Sequence, residues 1–454
     1  MRTLKQIYHD IDNEDSKMSL IFSKDQNKAV DMLKDFLKSD ESFATILGSA
    51  GVGKTTMVSA MPELYDAAKV LATGPTNKCV RVLRDKIPAE IECITINKFL
   101  GLGVKNVKDK KVSYRVGTYD PTEWAHIKVV LVDESSMLGS GLRDEKGKLL
   151  FKGLCDFIKE DAEEFDRKYI IMGDDCQLPP VEGSQKQTEA FGLAAPDNSV
   201  TMTEIVRQAA DNPIIMAATL VRDAIKTKQE PKLRGGLNEL EGTGVELLKR
   251  MAWVERLEEY VGDPRIHTDV DFCRVIAWTN DAVKEHNLSI RGVLGADITR
   301  PFDLGDTVVV NEAVEKGFTV VLGTGQEVIV ETMRESEHPV KGFKEWVVTL
   351  QALDLSEPLR VLDESSRPAY LAELERLRKQ CSLSKQWQPF YGLKNYYADL
   401  RPPYSITAHK SQGSTFENVF VDLKDIYSNR NQGEADKCYY VAITRASRKV
   451  FVLV

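Results

Sequence analysis

A glycine-rich segment near the start of the chain has the residue types and spacing that bind nucleotide phosphates. The strand-like residues 43–47 lead into Gly48-Ser-Ala-Gly-Val-Gly-Lys-Thr55, and a helical run begins at Thr56. In such a loop, backbone N–H groups turn inward around phosphate oxygens, and the helix N-terminus adds partial positive charge. Lys54 is expected to reach the β- and γ-phosphates, and the Thr55 hydroxyl to hold Mg²⁺. The flanking strand and helix favour this interpretation over a chance glycine-rich turn and predict ATP and Mg²⁺ as cofactors, with ligands among Gly48, Gly51, Gly53, Lys54, Thr55 and Thr56.

Two carboxylates at the end of a second strand-like run fit the same chemistry. Val129-Val-Leu-Val leads directly into Asp133 and Glu134. This order places Asp133 near the metal and leaves Glu134 to orient and deprotonate the attacking water. Alone, Asp-Glu after a strand is more often a solvated strand end. Together with the phosphate-binding loop, it predicts nucleotide hydrolysis.

A third strand-like run ends in a stiff turn that carries a neutral amide. Residues 169–172 are followed by Gly173-Asp174-Asp-Cys-Gln177-Leu-Pro-Pro. Proline fixes backbone angles, so Gln177 is held in one position, where it can sense the γ-phosphate or its attacking water. A proline-stiffened loop with no chemical role is the alternative.

The elements that must position these residues follow from the apolar pattern. Short apolar runs, each followed by a polar turn or helix, predict buried strands of parallel α/β sheets. They lie at residues 43–47, 70–73, 129–132, 169–172, 274–278 and 419–421. Short β-rich segments without intervening helices predict a small β-barrel, and they lie at residues 307–310, 320–322, 327–330 and 346–350. Residues 370–380 predict an amphipathic helix, and residues 101–118 a projecting hairpin.

Composition narrows the class of protein. A chain of 454 residues is expected to form roughly two to four domains. It contains no long apolar run, and its first residues lack the apolar core of a signal peptide, so we expect a cytoplasmic protein without a membrane span. The 7 cysteines are scattered without a C-x-x-C pair, which favours reduced thiols over a zinc module. The net charge of −8 weighs against a nucleic-acid partner, although a narrow basic groove can lie on an acidic body.

Motifs along nearly the whole chain overrule the argument from net charge. The chain resembles the superfamily 1 helicases and is most similar to their 5′→3′ branch, superfamily 1B, which contains RecD and the phage Dda helicase. The resemblance rests on segments in the expected order: Asp25-Gln26, the phosphate loop, Gly74-Pro-Thr-Asn77, Thr95-Ile-Asn97, Asp133-Glu134, Gly173-Asp-Asp-Cys-Gln177, Glu204-Ile-Val-Arg207-Gln, Ala277-Trp-Thr-Asn280, Ser405-Ile-Thr-Ala-His-Lys-Ser-Gln-Gly413 and Tyr440-Val-Ala-Ile-Thr-Arg445.

The resemblance implies an α/β fold with two RecA-like parallel-sheet motor domains, a β-hairpin insert and an SH3-like β-barrel insert. The first motor domain, 1A, would comprise residues 1–100 and 119–203, with the hairpin insert 1B at 101–118. The second, 2A, would comprise residues 204–304 and 400–454, with the accessory insert 2B at 305–399. That insert could equally be a protein-docking module.

The resemblance also implies roles around the nucleotide. Gln26 would read the adenine edge, Gly413 would contact the nucleotide, and Arg207 and Arg445 would be arginine fingers. A charge-rich phosphoryl transition state needs guanidinium donors, which contribute ~10³–10⁵ in rate. The catalytic set is therefore Lys54, Glu134, Gln177, Arg207 and Arg445. A surface ion pair with Glu204 is the alternative for Arg207, and a helix-surface charge is the alternative for Arg445.

Short polar or basic groups on strand-to-helix turns are the candidate contacts to a nucleic-acid strand. Such groups hold phosphates and sugars without reading bases, as a translocating motor requires. Each could instead be a helix cap. The family commonly has His where this chain has Asn97. The candidates, with the hairpin tyrosine, are Pro75, Thr76, Asn77, Thr95, Asn97, Tyr114, Thr279, Asn280, Thr407, His409 and Lys410.

The predicted hairpin has a local excess of positive charge. Its basic residues face a single acidic one, Asp109, and its only aromatic residue is Tyr114. In the family this insert is a wedge that splits base pairs, so Tyr114 could stack on the last pair. A solvated lysine-rich loop is the alternative. The basic residues are Lys105, Lys108, Lys110, Lys111 and Arg115.

These observations predict an ATP-dependent helicase that moves 5′→3′ on single-stranded DNA and unwinds duplexes in replication, recombination or repair. The expected partners are single-stranded and forked duplex DNA, with a single-strand-binding or replisome protein as a further candidate. The small insertions favour a monomer. The alternatives are a 3′→5′ motor of the UvrD and Rep type and a DNA-stimulated ATPase switch that does not unwind.

Overall fold

The structure, a computed structural model, describes residues 22–107, 110–115, 120–143, 149–180, 189–205, 211–232, 234–316, 319–351 and 358–454. The chain divides into two compact units. Unit 1 consists of Met1–Pro75, Leu83–Asp175 and Glu182–Ala210. Unit 2 consists of Thr76–Val82, Cys176–Val181 and Asp211–Val454. The domain boundaries inferred from the sequence stay predictions.

The elements of the first part of the chain form an α/β arrangement. Its strands are β1 (Phe43–Gly48), β2 (Val70–Gly74), β3 (Glu92–Thr95), β4 (Leu102–Val107), β5 (Lys110–Arg115), β6 (Val129–Val132), β7 (Leu142–Arg143), β8 (Leu149–Phe151), β9 (Lys168–Gly173) and β10 (Ser199–Met202). Its helices are α1 (Lys24–Lys38), α2 (Lys54–Ser59), α3 (Met61–Leu64), α4 (Asn77–Arg84), α5 (Ile96–Phe99) and α6 (Leu154–Phe165).

A six-stranded sheet is the frame of unit 1. Its order is β10-β1-β9-β6-β2-β3, and all of its strand pairs are parallel. Strands β2 and β6 are buried along their whole length, as expected for strands covered on both faces. Helix α1 begins with a capping box between Ser23 and Gln26 and buries one face through Ala29, Leu33 and Phe36. Strands β4 and β5 pair antiparallel, as do β7 and β8.

The second part of the chain combines a mostly parallel sheet with an antiparallel one. Its strands are β11 (Gly236–Asn238), β12 (Thr243–Leu248), β13 (Cys273–Ala277), β14 (Thr307–Val310), β15 (Val314–Lys316), β16 (Thr319–Leu322), β17 (Glu327–Glu337), β18 (Lys344–Leu350), β19 (Leu359–Leu362), β20 (Leu400–Arg401), β21 (Ser405–Thr407), β22 (Phe416–Val421) and β23 (Ala446–Leu453). Its helices are α7 (Pro213–Thr227), α8 (Arg250–Val261), α9 (Asn280–Val293), α10 (Arg367–Ser384), α11 (Gln388–Lys394), α12 (Ala408–Ser411), α13 (Leu423–Ile426) and α14 (Gln432–Thr444).

The main sheet of unit 2 has the order β11-β12-β23-β22-β13-β21, in which only β11 runs antiparallel. A separate five-stranded sheet has the order β19-β18-β17-β14-β20, and β15 pairs with β16. The strands of that five-stranded sheet pair antiparallel around their own apolar core, which includes Phe302 and Trp346. The predicted β-rich segments coincide with strands of this region, and the predicted amphipathic helix lies within α10. An SH3-like barrel stays a prediction.

The helices and the cysteines can be compared with what the sequence predicted. Among the described residues, no helix has both the length and the apolar character that crossing a bilayer requires. All seven cysteines are free thiols, and all are buried.

A buried ion pair anchors one end of the central strands of unit 1. Arg167, which precedes β9, donates from Nη1 to Asp161 Oδ1 at 2.6 Å, and both side chains are at most 1% exposed. The same guanidinium donates to Trp124 O at 2.7 Å and to Ile127 O at 3.2 Å, just before β6. Tyr169 donates to the other Asp161 oxygen at 2.5 Å. Every polar group of the pair is therefore satisfied, as burial of charge demands.

We expect Arg167→Met to lower the free energy of unfolding by about 3–5 kcal/mol, because it leaves the Asp161 carboxylate buried without its counter-charge. Urea unfolding of the whole chain measures this loss. Lys34→Met is the control: Lys34 pairs with Asp31 at 3.3 Å on the surface, with side chains 51% and 74% exposed. The control should change stability by less than about 1 kcal/mol. Equal effects of the two substitutions would show that the buried pair contributes no more than a surface pair.

Candidate functional site

Three predicted nucleotide-binding segments of unit 1 follow strands that are direct neighbours. The sheet places β9 between β1 and β6, and all three run parallel. Carboxyl ends of parallel strands lie on one edge of a sheet, where α/β proteins bind their ligands. The glycine-rich loop after β1, Asp174 after β9 and Asp133 after β6 therefore share this edge.

The loop after β1 has a backbone shape that favours glycine. Gly51 and Gly53 have φ of 81° and 79°, in the left-handed region. A Cβ on Gly48 would lie 2.6 Å from Val52 Cγ2 and 3.0 Å from Met202 O. Lys54 begins α2, and its Nζ donates to Gly48 O at 2.7 Å and to Ser49 O at 3.0 Å. The loop thus curls around an ammonium group that phosphate oxygens can approach, which fits a nucleotide phosphate chain.

The two carboxylates after β6 lie in a charged and crowded environment. Asp133 Oδ1 accepts from Glu134 N at 2.9 Å, and Glu134 has a left-handed φ of 50°. Burial, together with the charge of Glu134, raises the pKa of Asp133 to about 6, while Lys54 opposes the shift. A partly buried carboxyl beside a second carboxylate is stabilised by a hard divalent cation. Asp133 and the Thr55 hydroxyl therefore fit Mg²⁺.

Helix α1 is attached to the nucleotide loop and to the chain after β10. The buried Gln26 accepts from Ser23 N at 2.8 Å, and its Nε2 reaches Gly53 O at 3.4 Å. The backbone of Thr203 and Glu204 donates to Asp25 at 2.8 and 3.0 Å, which lowers the pKa of that carboxyl to about 2. Asp25 was assigned no role from the sequence. The adenine-reading role of Gln26 stays a prediction.

The remaining predicted catalytic residues differ in where they lie in the structure. Arg207 lies outside the described residues. Gln177 is buried within unit 2. Arg445 follows α14, is 5% exposed, and donates to Val441 O at 3.2 Å, Ser414 O at 3.3 Å and Thr444 Oγ1 at 3.1 Å. This guanidinium therefore fixes the chain within its own unit rather than being a free helix-surface charge.

Gly413 has a backbone constraint of its own. It has φ of 69°, and a Cβ built on it would lie 2.0 Å from Cys79 Sγ. Any side chain here would collide with α4 within unit 2. The nucleotide role of Gly413 stays a prediction, whereas its packing role is visible.

The threonines proposed as strand contacts cap helices. Thr95 Oγ1 accepts from Lys98 N at 3.2 Å, Thr279 Oγ1 from Ala282 N at 3.1 Å, and Thr407 Oγ1 from Lys410 N at 3.3 Å. In the same way, Thr76 Oγ1 accepts from Cys79 N at 3.2 Å. The capping alternative is therefore real. It is compatible with phosphate binding, because a capped helix start still presents other backbone N–H groups.

Asp425 is a neighbour of the predicted strand contact Thr279 that the sequence did not reveal. Its Oδ2 accepts from Trp278 N at 2.6 Å and Thr279 N at 2.8 Å, and its Oδ1 accepts from the Thr279 hydroxyl at 2.8 Å. Asp425 thereby fixes the turn between β13 and α9. Only the fold brings these residues together.

The structure also gives the positions of the other predicted strand contacts and the partners of several of them. Arg401 donates to Asn280 Oδ1 at 3.0 Å, and Lys410 Nζ donates to Asn311 Oδ1. Among the described contacts, the buried Asn97 Oδ1 has no hydrogen-bond partner. His409 Nε2 lies 3.6 Å from a Glu434 carboxylate oxygen. Pro75 follows β2, and Asn77 is the first residue of α4.

Strands β4 and β5 lie where the hairpin was predicted. Gly103 is opposite Tyr114, and a Cβ on Gly103 would lie 2.9 Å from Tyr114 Cζ. The tyrosine ring thus covers the glycine across the strand pair. The Arg115 guanidinium lies 6.0 Å from the centre of the Phe157 ring. Lys108 and the side chains of Lys105, Lys110 and Lys111 are outside the described part of the chain.

Comparisons with known proteins extend over both units. The AAA domain family matches residues 21–234, and the UvrD-like helicase C-terminal domain matches residues 402–453. A protein named ATP-dependent DNA helicase dda, from Enterobacteria phage T4, is 23% identical over 94% of this chain and 98% of its own length. An uncharacterized protein of Methanocaldococcus jannaschii is 24% identical over 98% of this chain and 39% of its own length.

Solved structures also match. A Pif1 helicase from Bacteroides, determined with ADP-AlF3 and single-stranded DNA, has a TM-score of 0.46 and 15% identity, covering 95% of this chain and 92% of that chain. This chain spans less than half the length of several curated relatives, but nearly all of the phage protein. The phage protein confirms the resemblance to Dda that the motifs indicated.

We expect Asp133→Asn to stabilise the nucleotide-free protein more at about pH 8 than at about pH 5. Because the folded pKa of Asp133 is raised to about 6, its ionisation costs stability as pH rises through that value. Removing the charge should therefore raise Tm most at the higher pH, in thermal unfolding without nucleotide or Mg²⁺.

Asp31→Asn, at an exposed position of α1, is the matched control and should show little difference between the two pH values. An equal Tm gain for Asp133→Asn at both pH values, or a loss at high pH, would contradict the environment assigned to Asp133. Added Mg²⁺ and ATP should stabilise the unsubstituted protein more than the variant, because the carboxylate is a proposed cation ligand.

Proposed function

We propose that this chain is an ATP-dependent DNA helicase that moves 5′→3′ along single-stranded DNA and unwinds forked duplexes. The observation that carries the proposal is the match to the phage T4 helicase over 94% of this chain and 98% of the relative. That match includes both units, whereas a simple ATPase would need only the nucleotide loop and its carboxylates. Single-stranded and forked DNA are the proposed partners.

The edge of the unit 1 sheet supports the hydrolytic half of the proposal. Lys54 would bind the β- and γ-phosphates, and Thr55 and Asp133 would hold Mg²⁺. The bound ion would neutralise charge on the phosphate oxygens. Glu134, next to Asp133, would orient the attacking water and accept its proton. Asp133 serves as a cation ligand, which leaves Glu134 as the base.

Arginines and an amide supply the remaining proposed catalytic groups. Arg207 and Arg445 would donate charge-assisted hydrogen bonds to the γ-phosphate oxygens as charge develops there. Gln177 would sense the γ-phosphate or its water.

Two capped helix starts in unit 2 support the strand-binding half of the proposal. Strands β13 and β21 are parallel neighbours; Thr279 follows the carboxyl end of β13, and Thr407 is the last residue of β21. Free N–H groups at helix starts bind phosphates without reading bases, as non-specific movement requires. His409 and Lys410 would add contacts on the second of these helices.

A pair of tailed duplexes tests the proposed activity. The protein should separate a duplex with a 5′ single-stranded tail in the presence of Mg²⁺ and ATP, and should leave a 3′-tailed duplex intact. Lys54→Ala is the control and should abolish unwinding on either substrate while retaining strand binding. The substitution removes the ammonium group that would contact the γ-phosphate, but it removes no core contact. Unwinding from 3′ tails only would favour the opposite polarity. ATP hydrolysis stimulated by DNA without strand separation would favour a switch.

We also propose that Tyr114 forms part of the wedge that separates base pairs. Tyr114→Ala should slow unwinding from a 5′ tail more than streptavidin displacement from a bare strand. Stacking of an aromatic ring on a base is worth ~1–3 kcal/mol, and this compensates part of the lost base stacking. Tyr114→Phe keeps the ring that covers Gly103 and should preserve both rates. If Tyr114→Ala slows both activities equally, the ring only supports the hairpin.

A further inference from the structure

A group of three different metal-ligating side chains lies in unit 2, separate from the nucleotide loop. His409 is on α12, and Glu434 and Cys438 are on α14. One ligand atom from each residue lies within 4.8 Å of the other two. Glu434 and Cys438 are four positions apart on one helix, so they share a face of α14. The fold therefore assembles the group from two elements.

The spacing of the three ligand atoms is compatible with a tetrahedral cation. The His409 Nε2 to Glu434 oxygen distance of 3.6 Å is too long for a hydrogen bond. Zinc binds nitrogen at about 2.0–2.1 Å and sulfur at about 2.3 Å, which puts ligand atoms roughly 3.5 Å apart. Movements of roughly 1 Å would bring all three atoms to that spacing.

The three residues differ in their exposure to solvent. Cys438 is fully buried, while the side chains of His409 and Glu434 are 22% and 30% exposed. The imidazole and the carboxylate are therefore partly accessible to a cation in solvent, whereas the thiol is not. A set of one nitrogen, one oxygen and one sulfur ligand favours Zn²⁺ or Co²⁺ over Mg²⁺ or Ca²⁺, which prefer oxygen alone.

We propose that His409, Glu434 and Cys438 bind one zinc-like transition-metal cation, with water as the fourth ligand. On binding, the Cys438 thiol gives its proton to solvent and its sulfur bonds to the metal as a thiolate, with no change of oxidation state. The Cys438 position lacks a nearby second cysteine in sequence, so spacing rules for zinc modules do not detect it.

A consequence follows for the helix that carries His409, and it rests on the proposed function. Thr407, His409 and Lys410 are proposed to contact the DNA strand. A metal bound to His409 would hold that imidazole against α14, so Zn²⁺ should weaken strand binding by the loaded protein. Metal binding itself does not depend on this role.

Cobalt titration of the whole chain, without nucleotide or DNA, tests the site. The protein is first stripped with a chelator. We expect one equivalent of Co²⁺ to give thiolate-to-cobalt charge-transfer absorption together with the visible bands of tetrahedral cobalt, and Zn²⁺ to displace it. Cys438→Ala should abolish the charge-transfer absorption. Glu434→Gln should weaken binding by more than ~10-fold, the smallest loss typical of outer-shell partners.

Cys381→Ala is the matched control, because Cys381 is also buried on a helix of unit 2. This control should bind cobalt as the unsubstituted chain does. Absence of thiolate charge transfer, or the same spectrum in Cys438→Ala, would overturn the proposal. If Cys438→Ala does not fold, Glu434→Gln decides alone: unchanged cobalt affinity overturns the site, and weakened affinity supports it. A site that binds cobalt without affecting strand binding would leave the metal site standing and remove only its consequence for DNA.

Discussion

Parallel pairing of β1, β9 and β6 is the constraint on which the rest of unit 1 depends. It brings a phosphate loop and acidic residues from distant parts of the chain to one edge of the sheet. The opposite ends of β6 and β9 are held by Arg167, which binds the chain before β6 and the Asp161 carboxylate. A buried ion pair thus joins these two strands at the end opposite the candidate site.

Electrostatics at the functional edge are balanced only in part by the protein itself. The Lys54 ammonium group donates to backbone carbonyls of its own loop. Desolvation and the neighbouring Glu134 carboxylate raise the pKa of Asp133, because both disfavour its ionised form. The proposed nucleotide and divalent cation would bring the complementary charges.

The local sequence pattern predicted the elements that depend on residues close together in the chain. The apolar runs at β1, β2, β6, β9, β13 and β22 were recognisable, as was the glycine-rich loop. Strand β23 was missed because Ser447, Arg448 and Lys449 interrupt its apolar pattern before the buried end. The Arg167–Asp161 pair and the Asp425 contacts could not be foreseen, since charged residues are usually exposed and their partners are set by the fold. The threonines at helix starts were ambiguous for a physical reason, because a cap and a phosphate contact use the same position.

The burial of all seven thiols has a practical consequence for watching this protein at work. Maleimide dyes react with exposed thiolates, so the native cysteines should be labelled slowly while the chain stays folded. One cysteine introduced at an exposed position, such as Leu240 in the turn between β11 and β12, would then accept a fluorophore selectively. Motions of single molecules could be recorded without first removing the native cysteines, several of which lie in the packed cores of the two units.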